Sequence, residues 1–255
     1  MASAAIVVPC YNEENRLDTL AFRNFASSSH RVAFLFVNDG STDATLTLLG
    51  SLQSSELLTY SVLNLEKNCG KGEAVRRGIL AAVHSNPDYV GFWDADLATP
   101  LAAILEFIDL AESRRDLEII MGSRVKLLGR KIERRPSRHY LGRVFATAAS
   151  LILGLAVYDT QCGAKLFRTS SLGALFHQPF VSKWIFDVEI LARLIQFRRG
   201  TRLFQPEQII YEFPLRQWRD VPGSKLTYRD FALAMRDLFR IWNRYIRNGQ
   251  RCVMP

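Results

Sequence analysis

Short apolar runs alternate with longer segments of mixed polarity along the first half of the chain. The apolar runs are rich in β-branched and aromatic residues and predict five strands, at residues 4–8, 32–37, 57–65, 89–93 and 117–121. The segments between them predict four helices, at residues 15–25, 42–52, 71–83 and 100–113. This alternation predicts an α/β fold with a mostly parallel sheet flanked by helices. Ligands of such sheets bind beyond the carboxyl ends of the strands.

The second half departs from this alternation. Residues 124–143 are dense in arginine and lysine, and the apolar run at residues 144–158 predicts a buried helix or one that lies in a membrane interface. Further patterns predict a hairpin or mixed strand, a helix, a strand and a last helix, at residues 164–167, 186–196, 202–211 and 228–247. Because no linker rich in Pro, Gly or Ser divides the chain, we expect a single domain over residues 1–255.

The last predicted helix is amphipathic. At 100° per residue, its arginines fall on one side and its aromatic and aliphatic residues on the other. This pattern is typical of a helix lying on a membrane, and equally of a helix whose apolar side docks on the core. No apolar stretch reaches the roughly 17 residues that a membrane span needs.

Composition limits the classes of molecule that the protein is expected to bind. The net charge of +8 favours anionic partners, such as nucleotides, phospholipid surfaces or nucleic acid. The basic residues lie at predicted phosphate sites rather than beside a known nucleic-acid motif, so we expect no nucleic-acid partner. The four scattered cysteines and the lack of a signal-peptide pattern predict reduced thiols in the cytoplasm.

Two carboxylates, Asp94 and Asp96, follow the predicted strand at residues 89–93 directly. Alternate residues at a strand end point to the same side, so the two side chains can share one ligand. Mg²⁺ and Mn²⁺ prefer such hard oxygen ligands and bind through one or two carboxylates together with substrate phosphates. The alternative is a solvated acidic turn.

Other polar motifs also fall at predicted strand ends. Asp39 follows the second strand and could accept hydrogen bonds from a base or ribose, or could cap a turn. Glycines flank Lys71 at the start of a predicted helix, where a phosphate could bind; a plain helix start is the alternative.

The order of the motifs is informative. Along the chain stand Pro9-Cys10-Tyr11-Asn12-Glu13, Asn38-Asp39-Gly40-Ser41-Thr42-Asp43, Gly70-Lys71-Gly72, Asp94-Ala95-Asp96-Leu97 and Gly122-Ser123-Arg124. In this order they resemble the inverting family 2 glycosyltransferases of GT-A fold. The later segments at residues 159–167, 184–189 and 223–226 are similar to the branch of dolichyl-phosphate β-glucosyltransferases and polyprenyl-phosphate glycosyltransferases.

The resemblance implies a Rossmann-like sheet and a C-terminal amphipathic helical part. It implies inverting transfer of a hexose, with glucose from UDP-glucose as the first expectation, to a polyprenyl or dolichyl phosphate. A UDP-sugar is expected rather than a GDP-sugar. Residues 1–124 would bind the nucleotide sugar, and residues 125–255 would bind the lipid phosphate and make a peripheral contact with the cytoplasmic membrane face.

The resemblance also assigns residues. The donor contacts expected are Pro9, Tyr11, Glu13, Asp39, Lys71, Asp94 and Lys225. Asp94 and Asp96 would hold Mg²⁺ or Mn²⁺, and Arg124, Arg138 and Arg134 would receive the acceptor phosphate. We expect the catalytic residues to be Asp96, Arg124, Arg138 and Asp159.

The acceptor decides which further groups the reaction needs. A phosphate acceptor needs no strong base but needs cations to hold it in line with the anomeric carbon, as the arginines of residues 124–138 could do. A hydroxyl acceptor would need a base, for which Asp159, Asp187 and Glu189 are the candidates. Asp187 and Glu189 could equally brace arginines. A non-catalytic nucleotide-sugar-binding or membrane-docking module is a further alternative, against which the intact Asp39, Asp94 and Asp96 argue.

Overall fold

The computed structural model describes residues 2–28, 31–56, 59–134, 136–199, 206–221 and 228–247, with only the backbone for residues 27–28, 136–139 and 228–230. Seven strands form one sheet in the order β3-β2-β1-β4-β7-β5-β8. The strands are β1 (Ala4–Cys10), β2 (Val32–Asp39), β3 (Tyr60–Leu65), β4 (Tyr89–Trp93), β5 (Ile119–Ser123), β7 (Ala164–Arg168) and β8 (Ile210–Pro214). A second sheet pairs β6 (Lys131–Glu133) with β9 (Gln217–Arg219).

Nine helices surround the sheets in the described part of the chain. They are α1 (Thr19–Ser28), α2 (Thr45–Ser55), α3 (Lys71–Ala82), α4 (Ala102–Ser113), α5 (Pro136–Leu153), α6 (Gly173–Phe176), α7 (Phe186–Arg198), α8 (Pro206–Ile209) and α9 (Tyr228–Ile241). A π-helix, Trp242–Arg247, continues α9.

The prediction of a mostly parallel sheet is confirmed. β1 runs parallel to β2 and β4, and β5 runs parallel to β8. Only β7 runs against its neighbours among the described strands, and it lies between β4 and β5. Its first residue, Ala164, pairs with the last residue of β4, Trp93. The loop that enters β7 therefore lies at the same edge as the carboxyl ends of the parallel strands.

Both faces of the sheet are covered, which explains why its strands are continuous apolar runs. On one face, Val7, Val37 and Phe92 pack with α3, α5, α7 and α9. On the other, Ile6, Phe34 and Trp93 pack with α1, α2 and α4. Strands of both halves of the chain join this one sheet.

Several predicted bounds were wrong. The helix predicted at residues 144–158 is α5, which already starts at Pro136. The prediction missed this start because the first turns of α5 are basic and polar and contain no apolar run. It stops before Gly154, whose φ of +65° is a conformation typical of helix ends. The strand predicted at residues 202–211 is the shorter β8, preceded by α8; residues 201–205 lie outside the described residues. Strands β6 and β9 have three residues each, too few to make a sequence pattern.

The last helix docks its apolar side on the core. Leu238 and Ile241 of α9 and Tyr245 of the π-helix are buried in the cluster that also contains α7. Arg236 and Arg240 are exposed on the other side. Of the two alternatives for the apolar side of this helix, these contacts match docking on the core. Nowhere in the described residues is a helix both long and apolar enough to cross a bilayer.

Gly78 gives a test of this packing. A Cβ at Gly78 of α3 would lie 2.4 Å from Val7 Cγ1 and 2.8 Å from Val37 Cγ2, both on central strands. We expect Gly78→Ala to lower the free energy of unfolding by about 2 kcal/mol, because buried β-branched side chains cannot move aside. Urea denaturation measures the change. Gly50→Ala is the matched control: Gly50 lies within α2 with nothing within 4 Å of a Cβ, so stability should rise by about 0.5–1 kcal/mol. Equal effects of the two substitutions would contradict the packing.

Candidate active site

Three carboxylates interact at the carboxyl ends of β1 and β4. Burial raises the pKa of Asp96, and the charge of Asp94 raises it further. Burial likewise raises the pKa of Glu13. Arg16 opposes this increase, and the charges of Asp96 and Asp94 add to it. Glu13 Oε1 accepts a hydrogen bond from Arg16 at 2.6 Å, whereas its buried Oε2 has no hydrogen-bond partner. The cluster therefore carries negative charge that its surroundings do not fully balance.

This cluster fits a divalent cation. Within the described residues, no group of three or more His, Cys, Asp or Glu side chains is arranged to hold a metal alone. Mg²⁺ and Mn²⁺ in nucleotide sites commonly take only one or two carboxylates and complete their coordination with phosphates and water. Asp94 and Asp96 would hold the ion, and the raised carboxyl pKa values and the unpartnered Glu13 oxygen indicate a region that favours a cation.

The backbone aims the two aspartates. Leu97 has a φ of +51°, which turns the chain sharply after Asp96, and Ala98 N donates to Asp96 Oδ1 at 3.1 Å. Asp94 N donates to the Gly163 carbonyl at 3.0 Å. A Cβ at Gly163 would lie 1.8 Å from Asp94 Oδ2, so only glycine leaves room for this carboxylate.

Lys71 lies against Asp94. Its Nζ is 2.5 Å from Asp94 Oδ1, at the N-terminus of α3. Burial alone would lower the pKa of Lys71, but Asp94 and Asp187 raise it overall, so the ammonium is charged at neutral pH. A cation at a helix N-terminus beside a carboxylate pair suits a diphosphate.

Asp39 holds the loop before α3. Its two carboxylate oxygens accept hydrogen bonds from Cys69 N at 2.7 Å and Gly70 N at 2.9 Å. This matches the turn-forming alternative, and a carboxylate with two such bonds still has lone pairs for a ribose or base. Gly40 follows with a φ of +64°, and a Cβ there would lie 2.4 Å from the Lys67 carbonyl carbon.

Two further donor candidates, Pro9 and Tyr11, lie at the end of β1, next to the end of β2. Thr42 N donates to Asn12 Oδ1 at 2.9 Å, and Asn12 N donates to Ser41 Oγ at 3.1 Å, so the ends of β1 and β2 are joined. Tyr11 is 43% exposed at this edge, and Pro9 pairs with Val37 within the sheet. Lys225 lies outside the described residues.

Arg124 and Asp159 form a buried ion pair. Arg124 Nε and Nη2 donate to the two carboxylate oxygens of Asp159 at 2.6 and 2.7 Å, and Arg124 N donates at 3.1 Å. Burial would raise the pKa of Asp159, but the guanidinium holds it well below its usual range. Glu212 of β8 fixes the loop by accepting from Tyr158 N and Asp159 N, each at 2.7 Å. With both oxygens engaged and its pKa lowered, Asp159 is poorly suited to act as a base.

A second arginine lies near this pair. The pKa of Arg134 is lowered by burial and by the positive charge of Arg124, while Asp159 and Asp220 oppose this. Arg124 also lies over the ring of Trp218 at 5.3 Å. Two guanidiniums close enough to repel each other make a region that favours an anion. Arg138 belongs to α5, but its side chain lies outside the described residues.

The other base candidates are also paired. Lys165 Nζ donates to Asp187 Oδ1 at 2.5 Å and to the carbonyls of Thr160 and Cys162 at 2.9 and 2.7 Å. Glu189 accepts from Arg193 at 2.7 Å and from Tyr245 Oη at 2.8 Å. Glu189 therefore braces an arginine, as the alternative reading of this acid had it, whereas Asp187 holds a lysine instead of an arginine.

Three residues of the site had not been singled out as functional. Gly163 makes room for Asp94, Lys165 holds the carbonyls of residues 160 and 162, and Glu212 holds Asp159. Gly163 and Lys165 belong to a segment whose resemblance was noted, but their contacts depend on β7 running antiparallel. Glu212 carries no sequence signal, because it lies in an ordinary strand.

Comparison with known proteins assigns the family. The model of Glycosyl transferase family 2 matches residues 5–176. The chain belongs to glycosyl transferase family 2. It is 35% identical to a dolichyl-phosphate beta-glucosyltransferase of Drosophila melanogaster over 95% of this chain and 75% of the relative. A dolichyl-phosphate beta-glucosyltransferase of Saccharomyces cerevisiae is 31% identical over 97% of this chain and 78% of the relative.

Solved structures agree on the fold. Glucosyl-3-phosphoglycerate synthase of Mycobacterium tuberculosis in complex with UDP superposes with a TM-score of 0.67 at 18% identity, covering 95% of this chain and 80% of that one. The same enzyme with Mn²⁺, UDP-glucose and phosphoglyceric acid gives a TM-score of 0.67, also at 18% identity and with the same coverage. The expected GT-A fold, family and branch are thus confirmed, and family 2 membership makes the chain a glycosyltransferase.

Gly163 provides a test of the site. We expect Gly163→Ala to lower kcat with UDP-glucose by more than about 100-fold, because its Cβ would displace the Asp94 carboxylate. Steady-state kinetics would measure this loss, and thermal unfolding would report whether the variant folds. Gly173→Ala in α6, where nothing lies within 4 Å of a Cβ, is the control. A folded Gly163→Ala protein with unchanged kcat would show that the position of Asp94 is not needed.

Proposed function

We propose that this glycosyltransferase moves glucose from UDP-glucose to dolichyl phosphate, or a similar polyprenyl phosphate, with inversion and with Mn²⁺ or Mg²⁺. The relatives named dolichyl-phosphate beta-glucosyltransferase support the sugar and the acceptor. The fold shared with an enzyme solved with Mn²⁺ and UDP-glucose agrees with the donor and the metal.

The observation that carries this function is the opposition of charge at one edge of the sheet. Glu13, Asp94 and Asp96 make a negative region, and Arg124 and Arg134 make a positive one. The two regions adjoin at residues 162 and 163. Gly163 makes room for Asp94, and the charge of Arg124 acts on the thiol of the preceding Cys162. Burial raises the pKa of Cys162 to about 11, although Arg124 opposes this rise. A metal-bound diphosphate suits the first region, and an anionic acceptor suits the second.

The reaction follows from these charges. An oxygen of the acceptor phosphate attacks the anomeric carbon from the face opposite the diphosphate, and the bond from that carbon to the diphosphate oxygen breaks. Arg124 and Arg134 hold the acceptor phosphate, which is already anionic and loses no proton to a base. Lys71 neutralises charge on the departing UDP, and the divalent cation, when bound, adds Lewis-acid stabilisation there.

The runner-up, a hydroxyl acceptor, is less well supported. All three candidate bases lie in buried ion pairs: Asp159 with Arg124, Asp187 with Lys165, and Glu189 with Arg193. Releasing any of them to accept a proton would leave a buried cation unpaired, which costs about 3–5 kcal/mol. We assign Asp159 the role of positioning Arg124.

The place of the reaction is part of the same proposal. Cys10, Cys69 and Cys162 are free thiols, which suits the reducing cytoplasm. A lipid phosphate presents its headgroup at a bilayer, so we place the enzyme peripherally on the cytoplasmic membrane face. Residues 1–124 then bind the donor, and residues 125–255 supply the acceptor site together with Arg124, the last residue of the first half.

A transfer assay tests this function. UDP-glucose with Mn²⁺ or Mg²⁺ should release UDP and form a glucosyl lipid only when dolichyl phosphate in detergent is present. UDP-galactose, UDP-GlcNAc and GDP-mannose serve as donor controls. Transfer to a soluble hydroxyl acceptor without any lipid phosphate, or transfer from another donor alone, would contradict the assignment.

Substitution of Arg134 distinguishes effects on acceptor binding from effects on donor binding in this assay. We expect Arg134→Ala to raise the acceptor KM by about tenfold or more and to leave the donor KM within about twofold. Arg114→Ala is the matched control, because Arg114 is exposed and pairs with Asp116 before β5 begins, at the opposite edge of the sheet. An unchanged acceptor KM in Arg134→Ala would remove this residue from the acceptor site.

A further inference from the structure

The exposed side of α5 is apolar. Leu141, Val144 and Leu151 are 38%, 58% and 79% exposed, and their spacing places them on one face of the helix. On the adjoining face of the helix, Phe145 and Ala149 are buried against the core. A surface helix usually carries charged residues where α5 carries these leucines and valine. The exposed face of α5 is therefore built to contact something apolar.

A second apolar feature follows Arg124 in the same segment. Leu127 is 47% exposed and Leu128 is fully exposed, at the tip of the loop between β5 and β6. Arg130 N donates to the Leu127 carbonyl at 3.1 Å, and Gly129 has a φ of +78°, so a tight turn presents the leucines to solvent. We call Leu127 and Leu128 the leucine tip.

The segment that carries both apolar features is strongly basic in sequence. Residues 124–153 contain eight lysines and arginines but only one acidic residue, Glu133. Lys126 and Arg130 flank the leucine tip directly. A basic segment with exposed leucines is complementary to a bilayer that contains anionic lipid, because the charges meet the headgroups and the leucines enter the acyl boundary.

The acceptor arginines are close in sequence to the two features. Arg124 precedes the leucine tip by three residues, and Arg134 precedes α5. An ideal Cβ at Gly142 would lie 2.4 Å from Arg134 Nη2, so the guanidinium lies against the second turn of α5. A surface that held the leucine tip and the exposed face of α5 would therefore be next to the acceptor site.

We propose that the leucine tip and the exposed face of α5 dock on an anionic bilayer and present Arg124 and Arg134 to lipid phosphates at its surface. This docking surface rests on the proposed function, since a lipid acceptor supplies the reason for the contact. A second copy of the chain would bring two segments of the same strong positive charge together, which favours the bilayer as the partner.

Vesicle binding tests the docking surface on the full chain. Flotation with phosphatidylcholine vesicles containing about 30 mol % phosphatidylserine should capture the wild-type protein, and pure phosphatidylcholine should capture at least about tenfold less. Leu128→Glu combined with Val144→Glu should lower capture by about tenfold or more, because both side chains are exposed and both substitutions add negative charge. The control is Leu20→Glu combined with Leu80→Glu, which changes the charge equally at leucines of α1 and α3 that are 65% and 39% exposed.

The outcomes separate this surface from the proposed function. Equal capture of the two double variants, or no capture of wild-type protein, would overturn the docking surface even if glucose is transferred to a short, water-soluble prenyl phosphate. Selective loss in Leu128→Glu, Val144→Glu would support the surface even if no lipid phosphate proves to be an acceptor. A wild-type dimer in sedimentation that the same variant dissociates, without vesicle capture, would assign the face to a second copy and overturn the bilayer.

Discussion

The burial of Glu13 and Asp96 beside a third carboxylate, Asp94, is the constraint on which the active site depends. Burial and neighbouring carboxylates raise the pKa values of Glu13 and Asp96. The fold holds the cluster in place: Lys71 lies 2.5 Å from Asp94, Ala98 N donates to Asp96, and the N–H of Asp94 donates to the Gly163 carbonyl. A protein gains no stability from such a cluster, so its persistence indicates a bound cation as the missing partner. In the function that we propose, the divalent cation carried by the donor diphosphate would be that partner.

The rest of the site places opposite charge beside this cluster without neutralising it. The antiparallel β7 brings residues 159–163 to the ends of β4 and β5, and Lys165 and Glu212 fix that loop from both sides. The same loop carries Asp159, which orients Arg124, and Gly163, which makes room for Asp94. One loop thus positions the carboxylate that we assign to the metal and the arginine that we assign to the acceptor phosphate, so the proposed donor and acceptor sites share one support.

Much of the fold, and the position of the site at the strand ends, could be predicted from sequence, because local patterns of apolar and polar residues determine both. The strand at residues 89–93 was predicted with its observed bounds, and Asp94 follows it directly as expected. The direction of β7 could not be predicted, since an apolar run reads the same both ways, and Gly163 acquires its role only from that direction. The start of α5 was missed because basic residues carry no apolar pattern there. The exposed side of α5 depends on which of its apolar faces meets α7, and that is decided by packing rather than by local sequence.

The central claim is that the carboxylate cluster requires a cation, and thermal unfolding tests it without any catalysis. Mn²⁺ with UDP should raise the Tm of the wild-type protein by about 3 °C or more. Asp96→Asn should show little of this rise, and without ligands its Tm should equal or exceed that of the wild type, because one of the repelling charges is gone while the bond from Ala98 N is kept. An equal rise in both proteins, or a variant that is clearly less stable without ligands, would contradict this account.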